Sequence, residues 1–231
     1  MDYSYLDRNV GEIKERIRAA AARSGRDEAE ITLLAATKSA EPEEINYIHE
    51  KLGISVIGEN RVQQLTDKWD KLNREGLDIH FIGSLQSNKV KYLVDKVSLI
   101  HSLDSHSLAS EIDRQAKKHG KIMSVLLEVN SGGEEQKGGV GLDEISEFCR
   151  SLEKYQSIKL CGFMTMAPKC ENVEDYRLYF NKTREACERA WFEVLGRTEK
   201  PILSMGMSES FEIAVECGAN LVRVGRRMFS K

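Results

Sequence analysis

The sequence predicts a (β/α)8 barrel of the TIM-barrel class. Three observations carry that reading: eight short β-rich runs, an amphipathic helical segment between most of them, and 231 residues without a linker or compositional break. Strands that alternate with helices require parallel crossovers, and eight such units suit a closed barrel better than an open doubly wound sheet of six or fewer strands, the alternative. Residues 1–231 are therefore expected to form one domain.

A helix over residues 4–24 leads, its apolar stripe running Leu6, Val10, Ile13 and Ile17 with Ala20 and Ala21 beside it. The strands follow as "ITLLAAT" from Ile31, "SVIGE" from Ser55, "IHFIG" from Ile79, "SLIHSL" from Ser98, "MSVLLEVN" from Met123, "LCGFMTM" from Leu160, "PILSM" from Pro201 and "NLVRVG" from Asn220. Between them lie helical spacings such as Ile45, Ile48 and Leu52, or Leu108, Ile112 and Ala116. Pro42 suits a first helical turn, and Ser208 is the expected N-cap of the helix bearing Phe211. Gly25, Gly53, Gly120, Gly196 and Gly218 stand where helices should end. The glycine-rich connector "NSGGEEQKGGVG" from Asn130 is read as solvated loop, with an active-rim lid as the alternative.

Composition narrows the function. Apolar residues at 41% and charged residues at 31% describe a globular chain, and a net charge of −3 without a basic stripe argues against nucleic acid. No secretory pattern opens the chain and no apolar run reaches membrane-spanning length, so a cytoplasmic, non-membrane protein is expected. Five cysteines without a C-x-x-C pair fit reduced thiols rather than a disulfide framework or a metal site.

Barrel chemistry gathers at the C-terminal ends of the strands. Lys38 stands at such an end, and counting back by twos gives Ala36, Leu34 and Thr32 on one face, so small residues leave room for a ligand. An amine held over an apolar floor is activated by desolvation to attack a carbonyl, which makes Schiff-base chemistry the sharp reading and an ordinary ion pair the plain one. After the last two strands, "SMGMSES" with Gly206 and Ser208, and "VGRR" with Gly225 and Arg226, are glycine turns opening into helices, a pattern that can cradle a phosphate. Arg223 shares a face with Leu221 and Gly225, opposite Val222 and Val224, and so should point into the barrel mouth. There it needs an acceptor: Glu59, Glu128 or another carboxylate, or the ring nitrogen of a heteroaromatic ligand. An aldehyde, a phosphate and a ring nitrogen together describe pyridoxal 5′-phosphate (PLP).

The strings "LLAATK", "IGENRVQ", "HFIGSLQSNK", "IHSLD", "GFMTMAP", "LSMGMSES" and "VRVG" span nearly the whole chain. They resemble those of the pyridoxal phosphate homeostasis proteins, whose barrel is similar to the N-terminal domain of bacterial alanine racemase. That resemblance implies an internal aldimine on Lys38, phosphate held by Ser208 and the amides around Gly225, Arg223 facing the pyridine nitrogen, and Asn60, His80 and Met164 lining the pocket. The plain readings of those last three are a turn-former, a core histidine and core packing. The chain departs from the family where "VRVG" is followed by "RRMFSK" rather than by a small hydroxyl residue. Arg226 is therefore expected to meet the phosphate either with its side-chain charge or with its backbone amide alone.

An arginine opposite the ring nitrogen weakens the ring as an electron sink. Racemases of similar architecture take a second base, a tyrosine, from a C-terminal β-domain that has no counterpart in these 231 residues; an intruding residue such as His80 or Tyr92 is the alternative source. The resemblance implies a carrier that buffers PLP and delivers it to PLP-dependent apo-enzymes, and a monomer is expected because a racemase-like dimer relies on that further domain. A weak PLP-dependent racemase or lyase is the alternative, and a cofactor-free Schiff-base aldolase acting on a sugar phosphate is the third reading.

Overall fold

Every β-rich run becomes a strand, and all the strands pair in parallel. The computed structural model describes residues 2–134 and 138–231. Strands β1 (Thr32–Ala36), β2 (Val56–Glu59), β3 (Asp78–Phe81), β4 (Leu99–Leu103) and β5 (Met123–Asn130) are followed by a two-residue β6 (Val140–Gly141), then β7 (Ile158–Thr165), β8 (Ile202–Ser204) and β9 (Leu221–Val224). The hydrogen-bonded order β4-β3-β2-β1-β9-β8-β7-β5 closes on itself through a β4–β5 pairing, so the predicted barrel forms and leaves no open edge. The first and last full strands are neighbours, with Leu34 opposite Arg223 and Ala35 opposite Val224.

Alternation sorts the side chains as expected. Leu34, Leu221 and Ile82 pack together inside the barrel, whereas Ala35, Val222 and Val224 belong to the larger core between strands and helices. Helix α1 (Ser4–Arg23) buries Leu6, Val10, Ile13 and Ile17. Each such side chain contributes about 1.5–3 kcal/mol of burial. Helix α1 packs on the outside of the barrel against α7 (Phe211–Glu216) and α8 (Arg226–Phe229), joining the two ends of the chain.

Helix starts and stops follow local chemistry. Pro42 opens α2 (Pro42–Leu52), where Glu41 and Glu44 form a reciprocal capping box, and Gly53 ends it in the left-handed conformation at φ 67°. Helices α3 (Val62–Lys68), α4 (His106–Lys118), α5 (Ile145–Ser151) and α6 (Asp175–Glu188) complete the outer layer. Helix α6 runs on through a π-helical stretch, Arg189–Val194. Two expectations need correction. Ser208 is not the N-cap of α7, because Met207 to Ser210 form a turn and Ser210 directly precedes Phe211. The connector from Asn130 is not loop throughout: its last two residues form β6 against Val129 and Asn130. Residues 135–137 of that connector, and with them the question of a lid, lie outside the described residues.

Candidate functional site

The C-terminal ends of β1, β2, β3, β7, β8 and β9 surround one cavity of about 350 Å³. That is within the usual range for a small-molecule site. Lys38, Asn60, Ser208, Arg223, Gly225 and Arg226, six of the eight residues singled out from the sequence, line it. Ala36 and Ile82 supply an apolar floor.

Lys38 lies two residues beyond the end of β1 and is exposed at the cavity mouth, not held in the apolar surroundings expected from the sequence. Its carbonyl accepts Gln64 Nε2 at 3.1 Å. Asn60 follows β2, and the lack of a side chain at Gly83 lets the loop after β3 approach the Asn60 backbone. The Asn60 Oδ1 atom is buried without a partner among the described residues. Because the two ends of an amide are interchangeable on geometry alone, Asn60 can offer a ligand either a donor or an acceptor.

Arg223 is 5% exposed, and its acceptors are neither of the expected carboxylates. Nη1 donates to the Ser204 carbonyl at 2.7 Å and to Ser204 Oγ at 2.6 Å, and Nη2 donates to the Thr165 carbonyl at 2.9 Å. Glu59 pairs with Lys68 instead. Glu128 acts on Arg223 only through its field: burial lowers the guanidinium to about 10, and the attraction of Glu128 opposes that shift. The arginine remains charged near neutral pH. Glu128 itself is raised to about 7, first by burial and then by Asp104, against the pull of Arg223.

From Arg223 a polar chain descends through the barrel. Ser204 Oγ lies 3.1 Å from His101 Nδ1, His101 Nε2 lies 3.0 Å from His80 Nδ1, and His80 Nε2 lies 3.1 Å from Asp78 Oδ2. Every link is satisfied when Arg223 donates to Ser204, Ser204 to His101, His101 to His80, and His80 to the Asp78 carboxylate. Burial first, then His80 and Arg223, hold His101 well below its ordinary pKa, consistent with a neutral ring. Asp78 is lowered, chiefly by its hydrogen bond from His80.

At the opposite side of the cavity, Gly206 turns at φ 88° between β8 and α7, and a side chain there would meet Ala214 Cβ at 2.5 Å and Phe211 Cα at 2.9 Å. Gly225 packs on β1, where an added Cβ would lie 2.7 Å from the Ala36 carbonyl oxygen. Among the described residues nothing accepts the backbone N–H groups of Ser208, Glu209 and Arg226. Helices α7 and α8 have six and four residues, so what this turn can offer an anion is these local N–H groups more than a macrodipole. The Arg226 side chain is exposed and its Nη1 lies 3.3 Å from Glu209 Oε1.

Two predicted lining residues lie elsewhere. His80 faces the polar opening at the other end of the barrel, with Asp78, Ser98 and Asn220, and Met164 packs inside the barrel with Leu99 and Leu126. The residues two further along each strand direction, Ile82 and Met166, reach the cavity instead. Tyr176, Met207, Glu209 and Ser210 also line it and were not anticipated. Tyr176 sits on α6, where its spacing reads only as core; its hydroxyl accepts the Cys170 backbone N–H at 3.3 Å. Tyr92 lines a neighbouring hollow with Arg61 and Lys89.

Comparison with known proteins decides the family. Residues 9–230 match the alanine racemase N-terminal domain family. A pyridoxal phosphate homeostasis protein of Aquifex aeolicus is 45% identical over 96% of this chain and 96% of its own length. The chain belongs to the pyridoxal phosphate homeostasis proteins. Within that racemase-like barrel family, a solved protein of Bifidobacterium adolescentis superposes with a TM-score of 0.88 at 31% identity, covering 99% of this chain and 97% of its own. PipY of Synechococcus elongatus, solved with PLP bound, superposes at 0.78 with 28% identity, covering 94% of this chain and all of its own.

Proposed function

We propose that this protein binds PLP at the barrel mouth and serves as a carrier that buffers the cofactor and delivers it to apo-enzymes. One observation supports the reading above the others: an amine, a buried guanidinium and a set of free backbone N–H groups, contributed by opposite ends of the chain, border a single cavity of about 350 Å³. Those groups match the aldehyde, ring nitrogen and phosphate of PLP, and the unpartnered Asn60 amide fits a ring substituent. The PLP in PipY and the naming of the Aquifex relative agree with it.

Lys38 Nζ is the amine that would hold the aldehyde carbon, with release of one water. Ser208 and the N–H groups of Ser208, Glu209 and Arg226 would hold the phosphate, with Gly206 and Gly225 allowing the close backbone approach. Bound PLP supplies electron-sink chemistry to a substrate amine, and Arg223 limits it. A guanidinium fixed by two carbonyls and a hydroxyl presents donors only and keeps its own protons, so it holds the ring nitrogen unprotonated. That favours carriage over catalysis.

A weak racemase or lyase is the second reading, and the presence of Tyr176 in the cavity is what favours it; neither His80 nor Tyr92 lines it. We place the protein in the cytoplasm as a monomer. Among the described residues no helix is long and apolar enough to cross a membrane.

Titration with PLP tests the proposal: a visible absorbance band should grow in the wild type and be lost in Lys38→Ala. Borohydride reduction followed by peptide mass should place a pyridoxyl phosphate on Lys38; a sugar adduct there would indicate an aldolase instead. Deuterium wash-out from the α-carbon of amino acids at rates well above free PLP would favour the catalytic reading.

A further inference from the structure

Outside the barrel, between β1, β2 and α3, lies a buried ion pair that borders no part of the cavity. Glu59 is completely buried, the Lys68 side chain is 13% exposed, and Lys68 Nζ lies 2.8 Å from Glu59 Oε1. Gly58 faces Leu34 and Ile82 inside the barrel, so its neighbour Glu59 faces outward toward the helices.

Burying a carboxylate and an ammonium costs several kcal/mol per ion before their attraction is counted, and an apolar pair of similar volume is often no less stable. What distinguishes this pair is the segment to which both partners turn. Lys68 Nζ donates to the Thr37 carbonyl at 2.7 Å, and Thr37 Oγ1 donates to Glu59 Oε1 at 2.7 Å. One helical turn before Lys68, Gln64 Nε2 donates to the Lys38 carbonyl at 3.1 Å. Strand β1 ends at Ala36, so Thr37 and Lys38 have left the regular ladder, apart from the Thr37 N–H bond to the Gly58 carbonyl. Helix α3 thus holds the carbonyls of two successive residues at the point where the chain leaves the sheet, and the second of them is the lysine at the cavity mouth.

We propose that Lys68, Glu59 and Gln64 are positioning residues for Lys38, fixing its backbone so that an otherwise exposed, rotamer-rich amine is presented to the cavity. The clamp touches no ligand and acts through Thr37 and the Lys38 backbone. The proposal rests on the reading of Lys38 as the covalent anchor, and it separates two kinds of affinity. PLP carries an aldehyde that needs a placed amine, whereas pyridoxine 5′-phosphate carries a hydroxymethyl group there and binds only by its phosphate and ring. Loosening Lys38 should weaken capture of the first and spare the second.

The test uses stopped-flow growth of the visible band with PLP, alongside equilibrium binding of pyridoxine 5′-phosphate, for wild type, Lys68→Met, Lys68→Arg and Gln64→Leu. Covalent capture should slow roughly tenfold or more in Lys68→Met and less in Gln64→Leu, as expected when a reacting group is misplaced by a fraction of an ångström. Lys68→Arg, which can still reach both acceptors, should recover much of the rate, and pyridoxine 5′-phosphate should bind all four proteins within about twofold. Unchanged capture in folded variants, or equal weakening of both ligands, overturns the clamp. Should Lys68→Met fail to fold by circular dichroism, Gln64→Leu carries the same comparison, since its bond reaches the Lys38 carbonyl alone. A wild type that captures no PLP overturns the anchor reading as well, and so is distinguishable from failure of the clamp by itself.

Discussion

The Ser204 hydroxyl accepts Arg223 Nη1 at 2.6 Å while standing 3.1 Å from His101, so one oxygen couples the cation beneath the cavity to the imidazoles in the barrel. Ser204→Ala removes that oxygen and leaves His101 Nδ1 without its partner in a fully buried position. A loss of about 1–3 kcal/mol is expected. Urea unfolding of variant and wild type measures it, and a change below about 0.5 kcal/mol would show that the chain from Arg223 to Asp78 adds nothing to stability.

Glu128 sets a pH dependence of defined sign. Its carboxyl is raised to about 7 in the folded protein, so the proton it retains stabilises the fold below its ordinary value of 4.5, and that contribution is lost as pH rises through 7. His101 acts in the opposite sense: its folded value is depressed, so its contribution is complete above 6.5 and is lost as pH falls below that. The two partly offset each other in mildly acidic solution, and above pH 7 only the Glu128 loss remains. Glu128→Gln should therefore gain stability on wild type between pH 6 and pH 8, by on the order of 1–3 kcal/mol. Thermal unfolding across that range checks it; parallel curves would place the Glu128 proton elsewhere.

Much of the fold was legible because period-two alternation and glycine-ended helices are local signals. The closure of β1 on β9 was readable as a consequence, since eight alternating units suit a closed barrel better than an open sheet. The resemblance set His80 and Met164 in the pocket lining, and alternation, which gives the face a residue occupies but not its height along the barrel, could not correct that. Both face inward, yet each lies one pleat too low, and Ile82 and Met166 stand at the level of the cavity. Arg223 was recognised, but its acceptors are two carbonyls of β7 and β8 and the Ser204 hydroxyl, and no carboxylate in the sequence pattern pointed to those. Tyr176 enters from a helix, where its spacing reads only as core.

Gly206 offers a test of the phosphate side. Alanine there must adopt φ 88° and push against Ala214 and the Phe211 backbone, so Gly206→Ala should cost about 1–3 kcal/mol and shift the free N–H groups of Ser208 and Glu209. If those groups hold phosphate, pyridoxine 5′-phosphate should bind the variant at least tenfold more weakly, as isothermal titration would measure. Unchanged affinity in a destabilised variant would move the phosphate away from this turn.

Arg226 is where the sequence reading set this chain apart from the family it resembles, and its surroundings define what its charge can do. Its side chain is 83% exposed and paired with Glu209, which is 62% exposed, so as a stabilising ion pair it contributes at most about 1 kcal/mol in water. Both residues border the cavity, and the same guanidinium lies within the long-range field of any bound phosphate. Three variants separate the charge from the backbone amide: Arg226→Ser, Glu209→Gln and the double change. Arg226→Ser keeps the amide and removes the charge, so PLP should bind it a few-fold more weakly at low salt and nearly as well as wild type at about 0.5 M salt, where screening shortens the Debye length to a few ångströms. Glu209→Gln frees Arg226 from its partner and should strengthen PLP binding at low salt, an effect absent from the double variant. If all three bind PLP equally at every ionic strength, Arg226 can contribute to phosphate binding only through its amide, and its side chain is a surface group beside the site.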